Sequence, residues 1–129
     1  MRVGRYYRFE AAHRLVASQL SDEENWIVYG KCSREGGHGH NYEVLVIFEG
    51  EPDPETGWVI DPRLADQTVE EHLLRRVDHR NLNEVVDEVT TGENLARVFH
   101  RWLKLAFDTD AVVASVELVE TPRNRFITI

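Results

Sequence analysis

Polar and apolar residues alternate along residues 2–14, which places Arg5, Tyr7, Phe9, Ala11 and His13 on one face of a predicted strand. The same period of two returns in residues 40–49, with Tyr42, Val44, Val46 and Phe48 on a shared face. It returns again in residues 111–121, where Val112, Ala114, Val116, Leu118 and Glu120 align. A short strand at Phe126–Ile129 closes the chain. The breaker-rich stretch Gly50–Gly57 predicts a β-hairpin running into Trp58–Ile60. Asp61 followed by Pro62 fits an N-cap and first helical position, opening a helix that carries Leu64, Val69, Leu73 and Val77 and stops near Asp78. Arg80–Asn83 reads as a turn. Ser21–Glu24 and Thr90–Glu93 have the spacing of capping boxes. The first opens a short helix that Gly30 can end. The second opens a helix burying Leu95, Val98, Phe99, Trp102 and Leu105. Strands joined by turns, with two helices to cover one side, predict an α+β fold with an antiparallel sheet. The edges of so small a sheet invite oligomerisation.

The chain has 129 residues, and one domain over 1–129 is expected. The net charge of −8 argues against a general nucleic-acid binder, which needs a basic footprint. No apolar run reaches the roughly 18 residues of a membrane helix, and Met1–Arg8 lacks a signal-like apolar stretch. A single cysteine cannot form an internal disulfide, so a reducing cytoplasmic setting is expected.

The chemistry concentrates in a few residues. In an extended chain, residues two apart point the same way, so His38 and His40 can converge on one ion across Gly39. His13, at the end of another strand, can supply a third nitrogen. Three imidazoles with an open fourth position are the catalytic arrangement of zinc, although copper, nickel and iron also accept imidazole. Taken singly, each histidine also fits an ordinary hydrogen-bonded role, and nothing in the spacing singles out His72 or His100. Cys32 lies in the polar glycine-rich loop, near Lys31 and Arg34, where a thiolate is favoured. Asp78 and His79 form either a proton relay or a helix end with an imidazole set against the dipole. Glu93 reads first as a capping residue. Glu120 continues the apolar face of its strand, where a carboxylate needs a partner, such as a ligand offering two N–H donors.

The motifs Phe9–His13, Cys32, His38–Tyr42, Gly57–Asp61, Val77–Asn83, Thr91–Ala96 and Val119–Thr121 occur in an order that resembles the 6-pyruvoyl-tetrahydropterin synthase / 6-carboxy-tetrahydropterin synthase family over nearly the whole chain. The resemblance implies the tunnelling fold, with trimers closing a β-barrel and two trimers stacking into a homohexamer. It implies zinc on His13, His38 and His40. It implies a proton-transfer set of Cys32, Asp78 and His79, the last two from a neighbouring subunit. Glu120 would anchor a pterin, with Glu93 as a secondary contact. The substrate would be 7,8-dihydroneopterin triphosphate, accompanied by Mg2+. The product would be 6-pyruvoyl-tetrahydropterin on the tetrahydrobiopterin route, or 6-carboxy-tetrahydropterin on the queuosine route.

Five residues separate Cys32 from His38, as in the pyruvoyl-forming branch. The intervening stretch lacks that branch's asparagines and contains Glu35, which resembles a subgroup that cleaves the side chain to 6-hydroxymethyl-dihydropterin. A non-catalytic pterin- or metal-binding module is a further alternative. Arg14, Lys31, Arg34, Arg123 and Arg125 are candidates for meeting the triphosphate.

Overall fold

The computed structural model describes residues 1–129. Two twelve-residue strands, β1 (Arg2–His13) and β2 (His38–Glu49), pair antiparallel along their full length. Between them lie α1 (Asp22–Tyr29) and a 3-10 turn (Gly30–Ser33). Ser21 and Glu24 form the reciprocal capping box, and Gly30 ends α1 with φ at 58°. Then follow α2 (Pro62–Val69), a π-helical turn (Glu70–Leu74), α3 (Arg75–Val77), β3 (Arg80–Asn81) and α4 (Leu82–Val85). The chain ends with α5 (Gly92–Ala106), β4 (Val112–Thr121) and β5 (Asn124–Ile127). The sheet order is β3-β1-β2-β4-β5, antiparallel except for the two-residue parallel contact of β3 with β1. The architecture is the expected α+β, with α2 and α5 over one face.

Tyr42, Val44, Val46 and Phe48 of β2 are buried, meeting Val69, Leu73 and Val77 from the first helical layer and Leu95, Phe99 and Leu103 from α5. Each such side chain contributes roughly 1.5–3 kcal/mol of burial. The buried stripe Ala65, Val69, Leu73, Val77 advances four residues at a time. On a regular α-helix that spacing drifts about 40° per step. The wider π turn at Glu70–Leu74 takes up the drift and keeps the stripe on the sheet. Leu64 is correspondingly outside the stripe and 41% exposed.

Several local expectations are corrected. Trp58–Ile60 forms no strand, because β2 is already paired on both sides, with β1 and β4, and leaves no ladder for a hairpin. Arg80–Asn83 is the short β3 followed by the start of α4, rather than a turn. A bulge at Ala114 places Ser115 opposite Ile47 but Val113 opposite Phe48. Val113 is therefore buried and Val112 is 54% exposed, while Val116, Leu118 and Glu120 keep the inward face. In α5 the buried leucines are Leu95 and Leu103. Leu105 lies about 200° round the helix from Leu103 and is 82% exposed.

At the other end of β1, Arg5 reaches α2 through a two-pronged contact with Asp66, Nε to Oδ1 at 2.8 Å and Nη2 to Oδ2 at 2.9 Å. The Tyr7 hydroxyl donates to Asp66 Oδ1 at 2.9 Å. This cluster fixes the first helical layer against the sheet, leaving the opposite end of β1 to carry chemistry.

Candidate metal centre

The register of β1 with β2 decides the geometry. His13 lies opposite His38 and Ala11 opposite His40. Side chains alternate on each strand, so all three imidazoles emerge on the inward face at one end of the sheet. One nitrogen from each of His13, His38 and His40 lies within 4.8 Å of the other two. His13 Nε2 and His38 Nε2 stand 3.1 Å apart. Four-coordinate zinc with Zn–N of about 2.0–2.1 Å separates neighbouring nitrogens by about 3.3 Å, so this spacing suits a shared ion.

The protonation states agree. His13 is 2% exposed, and its Nδ1 lies 2.8 Å from the carbonyl oxygen of Thr90. A carbonyl only accepts, so Nδ1 carries the proton and the Nε2 lone pair faces the cluster. Burial, reinforced by the neighbouring imidazoles, pushes the His13 pKa down to about 4. Burial also lowers His38 and His40 below the ordinary histidine value. His40 Nε2 is buried with no hydrogen-bond partner. Three neutral imidazoles and one orphaned nitrogen are what a metal cation requires.

Glu120 borders this cluster. Its carboxylate oxygens lie 4.0 Å from His13 Nε2 and from His40 Nε2, and no hydrogen-bond donor reaches them. Burial raises its pKa, and the charge of nearby Glu93 acts in the same direction, while His38 opposes. Glu93 is not a capping residue. The N-cap is Thr91, whose hydroxyl accepts from Asn94 N–H, so the capping box predicted one residue earlier is absent. Thr90 instead turns its carbonyl to His13.

Cys32 is half-buried in the 3-10 turn. Its carbonyl accepts from Leu15 N–H at 2.7 Å, and the neighbouring Ser33 carbonyl accepts from Arg14 Nε at 2.6 Å. The turn is thereby stitched to the residues directly after His13. Glu35 is exposed in the following loop. Asp78 and His79 lie beside Glu10, whose side chain alternates to the outward face of β1 between the buried Phe9 and Ala11. His79 has a left-handed φ of 56°, its Nδ1 is 3.0 Å from Asp78 Oδ1, and its Nε2 is 3.4 Å from Glu10 Oε2. The Glu10 backbone N–H donates to Asp78 at 3.0 Å and holds that carboxyl below the usual range. Within one chain the Asp78–His79 pair and the histidine triad therefore sit on opposite faces. His72 is exposed, and His100 Nε2 lies 3.0 Å from the Val113 carbonyl, away from the triad.

The family described as 6-pyruvoyl tetrahydropterin synthase matches residues 2–128. The chain belongs to the 6-pyruvoyl tetrahydropterin synthase family. The putative 6-pyruvoyl tetrahydrobiopterin synthase of Caenorhabditis elegans is 44% identical over 123 residues, 92% of this chain and 86% of the relative. The 6-pyruvoyl tetrahydrobiopterin synthase of Homo sapiens is 40% identical over 126 residues, 95% of this chain and 86% of the relative. The solved structure of the Caenorhabditis elegans 6-pyruvoyl tetrahydropterin synthase superposes with a TM-score of 0.94 at 39% identity, covering 99% of this chain and 94% of that one. The fold is thus that of the 6-pyruvoyl tetrahydropterin synthases, and no helix in it is long and apolar enough to cross a membrane.

Three supports of this synthase-family site carried no sequence signal strong enough to single them out. The Thr90 carbonyl is a main-chain group whose partner lies 77 residues away. Gly37, with φ of 67°, packs against the His13 carbonyl so closely that a Cβ would collide with it. Asn83 clamps the end of β1, accepting from Arg14 N–H and donating to the Arg14 carbonyl, both at 2.7 Å.

Proposed function

We propose that this chain is a zinc-dependent lyase that converts 7,8-dihydroneopterin triphosphate to 6-pyruvoyl-tetrahydropterin with loss of triphosphate. The observation that carries the reading is the meeting of a metal-competent histidine triad with an unpaired, half-buried carboxylate on one sheet face. His13, His38 and His40 hold the ion, which when bound supplies Lewis-acid polarisation of the substrate's side-chain hydroxyls. Glu120 accepts the 2-amino and ring N–H donors of the pterin, with Glu93 as a secondary contact. Cys32, as thiolate, removes a proton from the polarised side-chain carbon. Triphosphate then leaves by elimination, and tautomerisation completes the product. Asp78 and His79 of a neighbouring copy complete the proton-transfer set. An intersubunit site is supported by the contacts of that pair with the outward-facing Glu10, on the face of β1 opposite to His13. The outer edges of β3 and β5 are free to pair with other copies, in keeping with a homohexamer.

Cys32 is favoured over Glu35 as the base because it is half-buried and tied to the strand end bearing His13, whereas Glu35 is exposed. The test is the mass of the product formed from 7,8-dihydroneopterin triphosphate by the zinc-loaded protein. A pyruvoyl product with free triphosphate supports the reading. A carboxy- or hydroxymethyl-pterin product replaces it, and pterin binding without turnover leaves a binding module.

A further inference from the structure

Two buried side-chain polar atoms lack a hydrogen-bond partner, His40 Nε2 and the Tyr42 hydroxyl. The first is accounted for as a metal-facing nitrogen. The second has no such role, and an unmet buried hydroxyl costs stability. Phenylalanine would fill the same space without that cost. The Tyr42 ring is 1% exposed and stacks on Phe9 with centroids 4.7 Å apart and planes 10° from parallel, so the hydroxyl is held in place. The β2–β4 ladder pairs Val44 with Leu118 and Glu43 with Val119. One step further sets Tyr42 across from Glu120, both on the inward face. Glu120 is the flexible member and has no donor of its own.

We propose that the Tyr42 hydroxyl is a positioning donor for Glu120. When the ligand enters, it donates to the Glu120 carboxylate and fixes that group so that it can receive the two N–H donors of the pterin ring. The inference rests on Glu120 as pterin anchor. It extends that reading by assigning the orientation, and so the affinity, to a residue that touches neither metal nor reacting carbon.

The test is steady-state kinetics of zinc-loaded Tyr42→Phe with 7,8-dihydroneopterin triphosphate, together with its zinc content and melting temperature. The variant is expected to fold, keep its zinc, melt no lower than wild type, and show KM raised about tenfold with kcat nearly unchanged. Glu120→Gln raises KM at least as far, and adding Tyr42→Phe to it does little more, because the hydroxyl acts through the carboxylate. An unchanged KM overturns the inference. So does a tenfold loss that persists in the Glu120→Gln background, or a fall in melting temperature that accompanies equal losses in KM and kcat. If wild type itself does not turn over this substrate, the lyase reading fails first and takes the inference with it.

Discussion

His13 is held from behind by the carbonyl of Thr90, 2.8 Å from its Nδ1, and presents Nε2 to its partners. Desolvation of the buried imidazole outweighs that hydrogen bond and keeps it neutral, with its pKa lowered to about 4 from an ordinary 6.5. An unfolded chain regains the ordinary value. Stability is therefore fully present above about pH 6.5 and is lost as pH falls towards 4, by about 3 kcal/mol from this group. His38 and His40 are shifted in the same direction and add to the loss. Denaturant titrations of the metal-free protein at pH 7.5 and pH 4.5 check this, and a midpoint that does not move would contradict it.

Gly37 is the second support of His13. Its φ of 67° already disfavours a side chain, and a Cβ would strike the His13 carbonyl oxygen. Gly37→Ala is expected to cost about 2 kcal/mol or more and to weaken metal binding. Gly36 has a φ of 88° with open space around it, so Gly36→Ala carries the backbone strain alone, about 1 kcal/mol. Melting temperatures and competition with a metal chelator separate the two. Equal effects would mean that the contact with His13 is immaterial.

Asp66 serves the fold and not the metal centre. Removing its carboxylate leaves the Arg5 guanidinium and Tyr7 hydroxyl without their acceptor. Asp66→Ala is expected to lower stability by about 1–3 kcal/mol while metal content stays unchanged. Glu49, in an exposed pair with Arg2, is the control, and Glu49→Ala is expected to change stability by less than about 0.5 kcal/mol.

The sequence made the histidine cluster largely readable because strand alternation is a strict rule. Alternation puts His13 on the face of Phe9 and His40 on the face of Tyr42, whereas His38 preceded the strand expected over 40–49 and joins them because β2 begins at His38 and pairs it with His13. Where a local signal competed with tertiary pairing, the pairing prevailed. Trp58–Ile60 had good strand residues but no free neighbour to pair with. One extra residue at Ala114 exchanged Val112 for Val113 in the core, which alternation alone cannot foresee. Thr90–Glu93 looked like a capping box, yet Thr90 was committed to His13 and the cap moved to Thr91. The Asp78–His79 pair shows the other limit. Its adjacency was plain in the sequence, but its side of the sheet depends on β3 docking against β1. The supports of the ligands, a carbonyl and a glycine, act through the main chain and leave little trace in side-chain pattern.

Metal content per chain measures directly whether His13, His38 and His40 together bind one ion. Wild type, purified without chelator, is expected to hold one ion per chain, and His13→Ala, His38→Ala and His40→Ala each to lose most of it while remaining folded. Glu120→Gln, which removes a neighbouring charge but no ligand, is expected to keep its metal. Wild-type protein that cannot be loaded with metal, or full metal content in any of the three folded single-alanine variants, would contradict a shared site.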